Sequence, residues 1–131
     1  MINTPSTLST GAPASDSAPL LDAERLIVYG VALEFQVTAS APALRADAVV
    51  RDQLRRASLS CVLNIAEGAG RRSPAQKRHF YSIARGSAME SAAILDVLRS
   101  HGVASHVEWR QARALVVRIV QMLTKLDQAL S

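Results

Sequence analysis

Ten residues near the middle of the chain, Asn64-Ile65-Ala66-Glu67-Gly68-Ala69-Gly70-Arg71-Arg72-Ser73, constrain the fold more than any others. They hold a helix end, a glycine turn, a basic pair and a helix start. Ile65 and Ala66 continue an apolar pattern that runs back through Cys61 to Leu54. Gly68 and Gly70 are expected to stop that helix, because glycine accepts the left-handed conformation that closes helices. Ser73-Pro74-Ala75-Gln76 starts the next one: Ser73 caps free N–H groups, Pro74 suits the first helical position, and Gln76 completes a capping box. The turn therefore fixes how two long helices meet.

The rest of the chain keeps helical spacing. A first helix is predicted from about Asp22, its N-cap, to Thr38, with Val28, Ala32, Phe35 and Ala39 on one face. Leu26, Gly30, Leu33 and Val37 form a second stripe beside it, and Ala41-Pro42-Ala43 ends the segment. A second helix is predicted from Arg45–Asp47 to Ala66–Gly68. Val50, Leu54, Ala57, Cys61 and Ile65 make one of its stripes, and Leu59, Val62 and Ala66 another. The third spans Pro74 to about Ser100, with Gly102 as its stop, and carries Phe80, Ala84, Ser87, Ser91, Ile94 and Leu98 at heptad spacing. Small residues crowd its middle. Gly86, with Ser87 beside it, is read as a point of close helix packing, since an exposed mid-helix glycine costs about 1 kcal/mol. The fourth opens on a capping box, Ser105-His106-Val107-Glu108, and continues with Ala112, Val116, Ile119, Leu123, Leu126 and Leu130. No strand-like alternation of useful length occurs. The expected fold is all-α: an antiparallel up-down-up-down four-helix bundle over residues 22–131, preceded by a disordered Ser/Thr/Pro/Ala-rich tail over residues 1–21.

Composition agrees with that architecture. Of the 131 residues, 49% are hydrophobic and only 4% aromatic, so the core must be aliphatic. Cys61 stands alone, which rules out an intrachain disulfide and suits a reducing compartment. The start lacks a signal-peptide pattern, and no apolar stretch approaches the ~18–20 residues of a membrane span. A cytoplasmic chain without a membrane role is expected.

Chemistry-bearing motifs are few. The Glu-x-x-His pattern of di-metal bundles is absent, so neither metal nor cofactor is expected. No nucleophile elbow or phosphate loop is present, and no catalytic residue is assigned. Asn64, Glu67 and Glu90 fit a structural polar network neutralised by Arg55 or Arg56 better than a catalytic site. The net charge is +4, and its excess lies around the central turn. Arg71 and Arg72 precede free helix N–H groups and together can hold a phosphate; a solvated turn fits equally well. With Lys77, Arg78, Arg55 and Arg56 they form the candidate nucleic-acid-binding set, electrostatic and weakly sequence-selective because stacking aromatics are scarce.

Arg55-Arg56-Ala57-Ser58-Leu59-Ser60, Asn64-Ile65-Ala66-Glu67-Gly68, Gly70-Arg71 and Ile83-Ala84-Arg85-Gly86-Ser87-Ala88-Met89-Glu90 resemble the paired motifs of the 23S rRNA intervening-sequence protein family. The likeness runs from about Leu26 to the C-terminus, and Cys61-Val62-Leu63 departs from the family's usual Ile-Pro-Ser. The resemblance implies a nonenzymatic helical bundle that associates with itself. A similar bundle, the accessory protein of diversity-generating retroelements, is a pentamer that binds a reverse transcriptase and nucleic acid. The expected partners are thus other copies, most simply in a homopentamer, together with RNA or a reverse transcriptase. The rival expectation is a structural scaffold whose arginines serve ion pairs and solubility.

Overall fold

The structure, a computed structural model, describes residues 18–131. The expected disordered tail falls largely on residues 1–17, outside the described residues. A 3-10 turn, Asp22–Arg25, leads into four helices: α1 (Ile27–Leu44), α2 (Ala48–Gly70), α3 (Pro74–Ser100) and α4 (His106–Leu130). Among the described residues there is no strand. Connections over residues 45–47, 71–73 and 101–105 are too short to do anything but reverse the chain. Side-chain bonds run in the matching antiparallel register. Arg45, just past α1, pairs with Glu108 at the start of α4, and Arg78 near the start of α3 pairs with Asp127 near the end of α4. Each helix packs on its sequence neighbour, and α1 also packs on α4, which closes the bundle.

The helix starts follow their caps. Asp47 accepts from the Val50 N–H at 3.1 Å and Ser73 from the Gln76 N–H at 3.0 Å. Ser105 accepts from the Glu108 N–H at 3.1 Å while Glu108 accepts from the Ser105 N–H at 3.0 Å, a complete capping box. The α1 start differs from expectation. Asp22 lies inside the 3-10 turn rather than capping a helix, and Glu24 takes the Leu21 N–H at 2.8 Å. The α1 end also differs, because Pro42 does not terminate it. Its ring is fully buried, and the Thr38 and Ser40 hydroxyls bond back to the Glu34 and Val37 carbonyls at 2.8 and 2.6 Å. Such back-bonding bends a helix, and the apolar ring gains more from burial than the missing N–H costs so near the end.

Phe35, Leu54, Ile65, Leu95, Ile119 and Leu123 form the centre of an aliphatic core. Cys61 is buried among them, and burial pushes its thiol up to about 12, which makes it inert. On α3 the core face is rotated from the expected stripe. Tyr81, Ala84, Ala88, Ser91, Leu95 and Leu98 are buried, while Phe80 and Ile94 are only half-buried. The first stripes of α1 and α2 face the core as predicted. Of their second stripes, Val37 and Leu59 remain exposed, at 52% and 43%.

α1 is apolar nearly all round, with Glu34 its only charge. At 18 residues it reaches the length and apolarity of a minimal membrane span, contrary to the expectation that no stretch does. Its buried face packs on α2 and α4, as in the core helix of a bundle.

The Ser105 N–H, and after it the Arg45 guanidinium, hold the Glu108 carboxyl below its ordinary value of 4.5. A folded value below the unfolded one adds stability that is present above the ordinary range and lost as pH falls through the folded value. Glu108→Gln should therefore flatten the acid side of the stability–pH curve. Thermal melts of both proteins from neutral pH into acid check this; parallel curves would mean that Glu108 titrates as it does unfolded.

Candidate nucleic-acid interface

The α2–α3 junction is built by a close approach. Neither glycine there turns left-handed, since among the described residues only Gly102 has a positive φ, 75°. Gly68 is buried inside α2, where a Cβ would stand 2.7 Å from Tyr81 Cε1 and 3.2 Å from Phe80 Cβ. It is glycine because α3 crosses there. α2 ends at Gly70, and the chain leaves through an extended Arg71. Lys77 finishes the helix from outside, its Nζ donating to the Ala69 carbonyl at 2.9 Å and the Gly68 carbonyl at 3.3 Å. A cation on terminal carbonyls is favoured by the helix dipole.

Three of the six candidate cations are engaged inside the bundle. Besides Lys77, Arg71 donates from Nη2 to Glu67 Oε2 at 2.5 Å and lies over the Phe80 ring at 4.8 Å. Its Nε is shut off from solvent with no acceptor. Arg78 donates from Nε to Asp127 Oδ1 at 2.9 Å. That bond holds Asp127 below the ordinary carboxylate value and raises Arg78 above its own. Arg72, Arg55 and Arg56 are exposed, with no side-chain hydrogen bond or ion pair among the described residues. Nor do the six form one cluster. Arg55 and the end of α2 are separated by 15 residues of helix, about 22 Å at 1.5 Å per residue.

The expected network of Asn64, Glu67 and Glu90 does not assemble. Asn64 Nδ2 donates to the Ser60 carbonyl at 2.9 Å and to Ser60 Oγ at 3.1 Å. Ser60 Oγ in turn meets Ser87 Oγ at 2.8 Å, a hydroxyl bridge between α2 and α3. Glu67 belongs to Arg71 instead, and Glu90 is exposed, without a partner among the described residues. No three His, Cys, Asp or Glu side chains converge to hold a metal among the described residues.

The profile of the 23S rRNA-intervening sequence protein matches residues 24–125, more than three quarters of the chain. The chain belongs to that family. No curated protein matches it. The matched span begins inside the 3-10 turn and ends in the last turns of α4. Where the family usually has Ile-Pro-Ser, Cys61-Val62-Leu63 lets α2 run unbroken from Ala48 to Gly70.

Gly86 is not the close contact that its small neighbours suggested. It is exposed, and a Cβ there meets nothing within 4 Å. The close approach between α2 and α3 is at Gly68, where the sequence predicts a helix stop. Ser87 is buried and does face α2 through Ser60. The cations of α4 belong to no motif that singles them out in the sequence. Both acids of α4 are taken, Glu108 by Arg45 and Asp127 by Arg78, while Arg110, Arg118 and Lys125 have no acidic partner among the described residues. A surplus of cations on α4 outside its apolar stripe was the available signal.

Proposed function

We propose that this chain is a nonenzymatic, homo-oligomeric bundle that binds RNA, or a nucleic-acid-handling partner such as a reverse transcriptase, through exposed cations along α2 and at the α2–α3 turn. The observation that carries this reading is the set of exposed, unpaired guanidiniums at Arg72, Arg55 and Arg56 in a member of a family described by rRNA. Free guanidiniums keep their hydrogen-bonding forks for phosphate. Arg71, Lys77 and Arg78 add positive potential while remaining tied into the fold. In this reading the protein acts in the cytoplasm and needs no cofactor.

Self-association is supported by α1, whose exposed Ile27, Val37 and Leu44 leave apolar surface on a helix with only one charge. A groove of about 490 Å³ between α1 and α2, lined by Val37, Leu44, Leu54 and Leu59 and also by Arg51 and Arg55, adjoins that surface. A second copy is the natural cover for it, and five copies follow the resemblance to the retroelement accessory protein. The rival reading, a scaffold without nucleic acid, draws on the internal use of Arg71, Lys77 and Arg78.

Fluorescence anisotropy with a labelled RNA across a salt series decides between the two. Each phosphate contact on a single strand contributes about −0.7 to the slope of log K against log salt. The Arg55→Gln, Arg56→Gln, Arg72→Gln variant should bind more weakly and flatten the slope by up to about 2. Equal affinity and slope would exclude these three side chains as the site. Wild type that binds no RNA at low salt would leave the scaffold reading.

A further inference from the structure

We propose that the outward face of α4 is a second contact surface for single-stranded RNA, with Arg110, Arg113 and Arg118 on its phosphates and Trp109 stacking a base. The proposal rests on the RNA-binding reading above but assigns a different part of the molecule. α4 carries Arg110, Arg113, Arg118 and Lys125 against Glu108 and Asp127, and both carboxylates are spent on Arg45 and Arg78. Arg110, Arg118 and Lys125 lie on the side of α4 away from its buried residues Ala112, Val116, Ile119 and Leu123, and the exposed Arg113 lies on its flank. Arg113 lies only over the Trp109 ring, with its guanidinium carbon 5.6 Å from the centroid.

Trp109 supplies the second observation. It is the sole tryptophan of the chain and is only half-buried. Its indole Nε1–H donates to Asp96 Oδ1 on α3 at 2.8 Å, and the Arg99 guanidinium lies 4.6 Å from its centroid. Both contacts fix the ring before any ligand arrives, so little side-chain entropy is left to lose on stacking. Arg113 is the looser of its two guanidinium neighbours and the one whose movement towards a phosphate would uncover the ring. An open groove of about 730 Å³ runs beside it, lined by Trp109, Arg110, Arg113, Val117 and Arg118. From Arg110 to Arg118 the helix rises about 12 Å, room for about three nucleotides at the spacing of a stacked strand.

Cations combined with a fixed aromatic ring select the ligand. An acidic peptide would use the arginines and leave the indole idle. A duplex offers phosphates but keeps its bases away from the ring. A single strand uses both, through phosphate contacts and base–aromatic stacking.

Because Trp109 is the only tryptophan, its emission reports on this groove directly. The full chain is titrated with a short oligoadenylate, followed by tryptophan fluorescence and by anisotropy of a labelled copy across a salt series. The expected result is quenching of Trp109 at saturation. In the Arg110→Gln, Arg113→Gln, Arg118→Gln variant, affinity at low salt should fall by about tenfold or more, and the salt slope should flatten by about 2 for three lost contacts. Trp109→Leu, checked for fold by circular dichroism, should weaken binding with the salt slope unchanged. RNA bound with unchanged affinity by the triple variant and without quenching would overturn this proposal and leave the α2–α3 reading standing. Wild type that binds no oligoadenylate in either assay would overturn both. Polyglutamate that displaces the RNA and binds through the same three arginines without quenching would make this an acidic-protein surface instead.

Discussion

Gly68→Ala should lower the melting temperature, although alanine is the better helix former. The new methyl carbon would stand 2.7 and 2.9 Å from two carbons of the Tyr81 ring, closer than real contacts allow. Tyr81 is itself buried, so its ring must shift to admit the new methyl group. Overpacking a filled site costs about 1–3 kcal/mol, against a helix-propensity gain of about 1 kcal/mol. The same change at Gly86 meets nothing within 4 Å and should give only the gain. The two alanine variants should therefore differ by about 1–3 kcal/mol, with Gly86→Ala the more stable. Combining Gly68→Ala with Tyr81→Leu should recover part of the loss, because the clash is with the ring. Denaturant melts of the two single variants and the cycle decide it. Equal stability at positions 68 and 86 would mean that α2 and α3 can part without cost.

Val37→Glu with Leu59→Glu should convert the proposed oligomer into a monomer of 14.0 kDa. Both side chains are exposed in the single chain, at 52% and 43%, so the charges need not disturb the core. In an interface each carboxylate would be buried without a partner, and a lost or unpaired buried charge typically costs several kcal/mol. Light scattering coupled to size exclusion reads the outcome directly, with circular dichroism as the check on helix content. Wild type already at 14.0 kDa would remove the case for self-association. An unchanged assembly in the variant would move the interface off the α1–α2 groove.

Much of the candidate site was visible in the residues, but not its wiring. Arg71, Lys77 and Arg78 stood out as a basic run, yet a run of cations carries no information about which acceptors another helix will bring. Asp127 lies 49 residues from Arg78 in sequence, and Lys77 is held by backbone carbonyls of Gly68 and Ala69 that any residue would supply. Glu67 and Asn64, three apart, looked like one polar cluster. The turn beyond them gave Glu67 to Arg71, four residues on, while Asn64 turned back to Ser60.

Local chemistry determined the elements. The side-chain oxygens of Asp47, Ser73 and Ser105 set where α2, α3 and α4 begin, because a helix leaves its first N–H groups unpaired wherever it sits. Heptad spacing determined the buried faces of α1, α2 and α4, because 3.6 residues per turn is a property of the backbone alone. Tertiary structure decided what depends on a neighbour: that Gly68 is a contact while Gly86 is open, that Tyr81 rather than Phe80 enters the core, and that Pro42 stays inside α1. It also decided which cations remain free. Pairing ties down Arg71, Lys77 and Arg78 and leaves Arg72, Arg55, Arg56 and the cations of α4 without an acid, a distribution completed only when antiparallel helices bring Arg45 to Glu108 and Arg78 to Asp127.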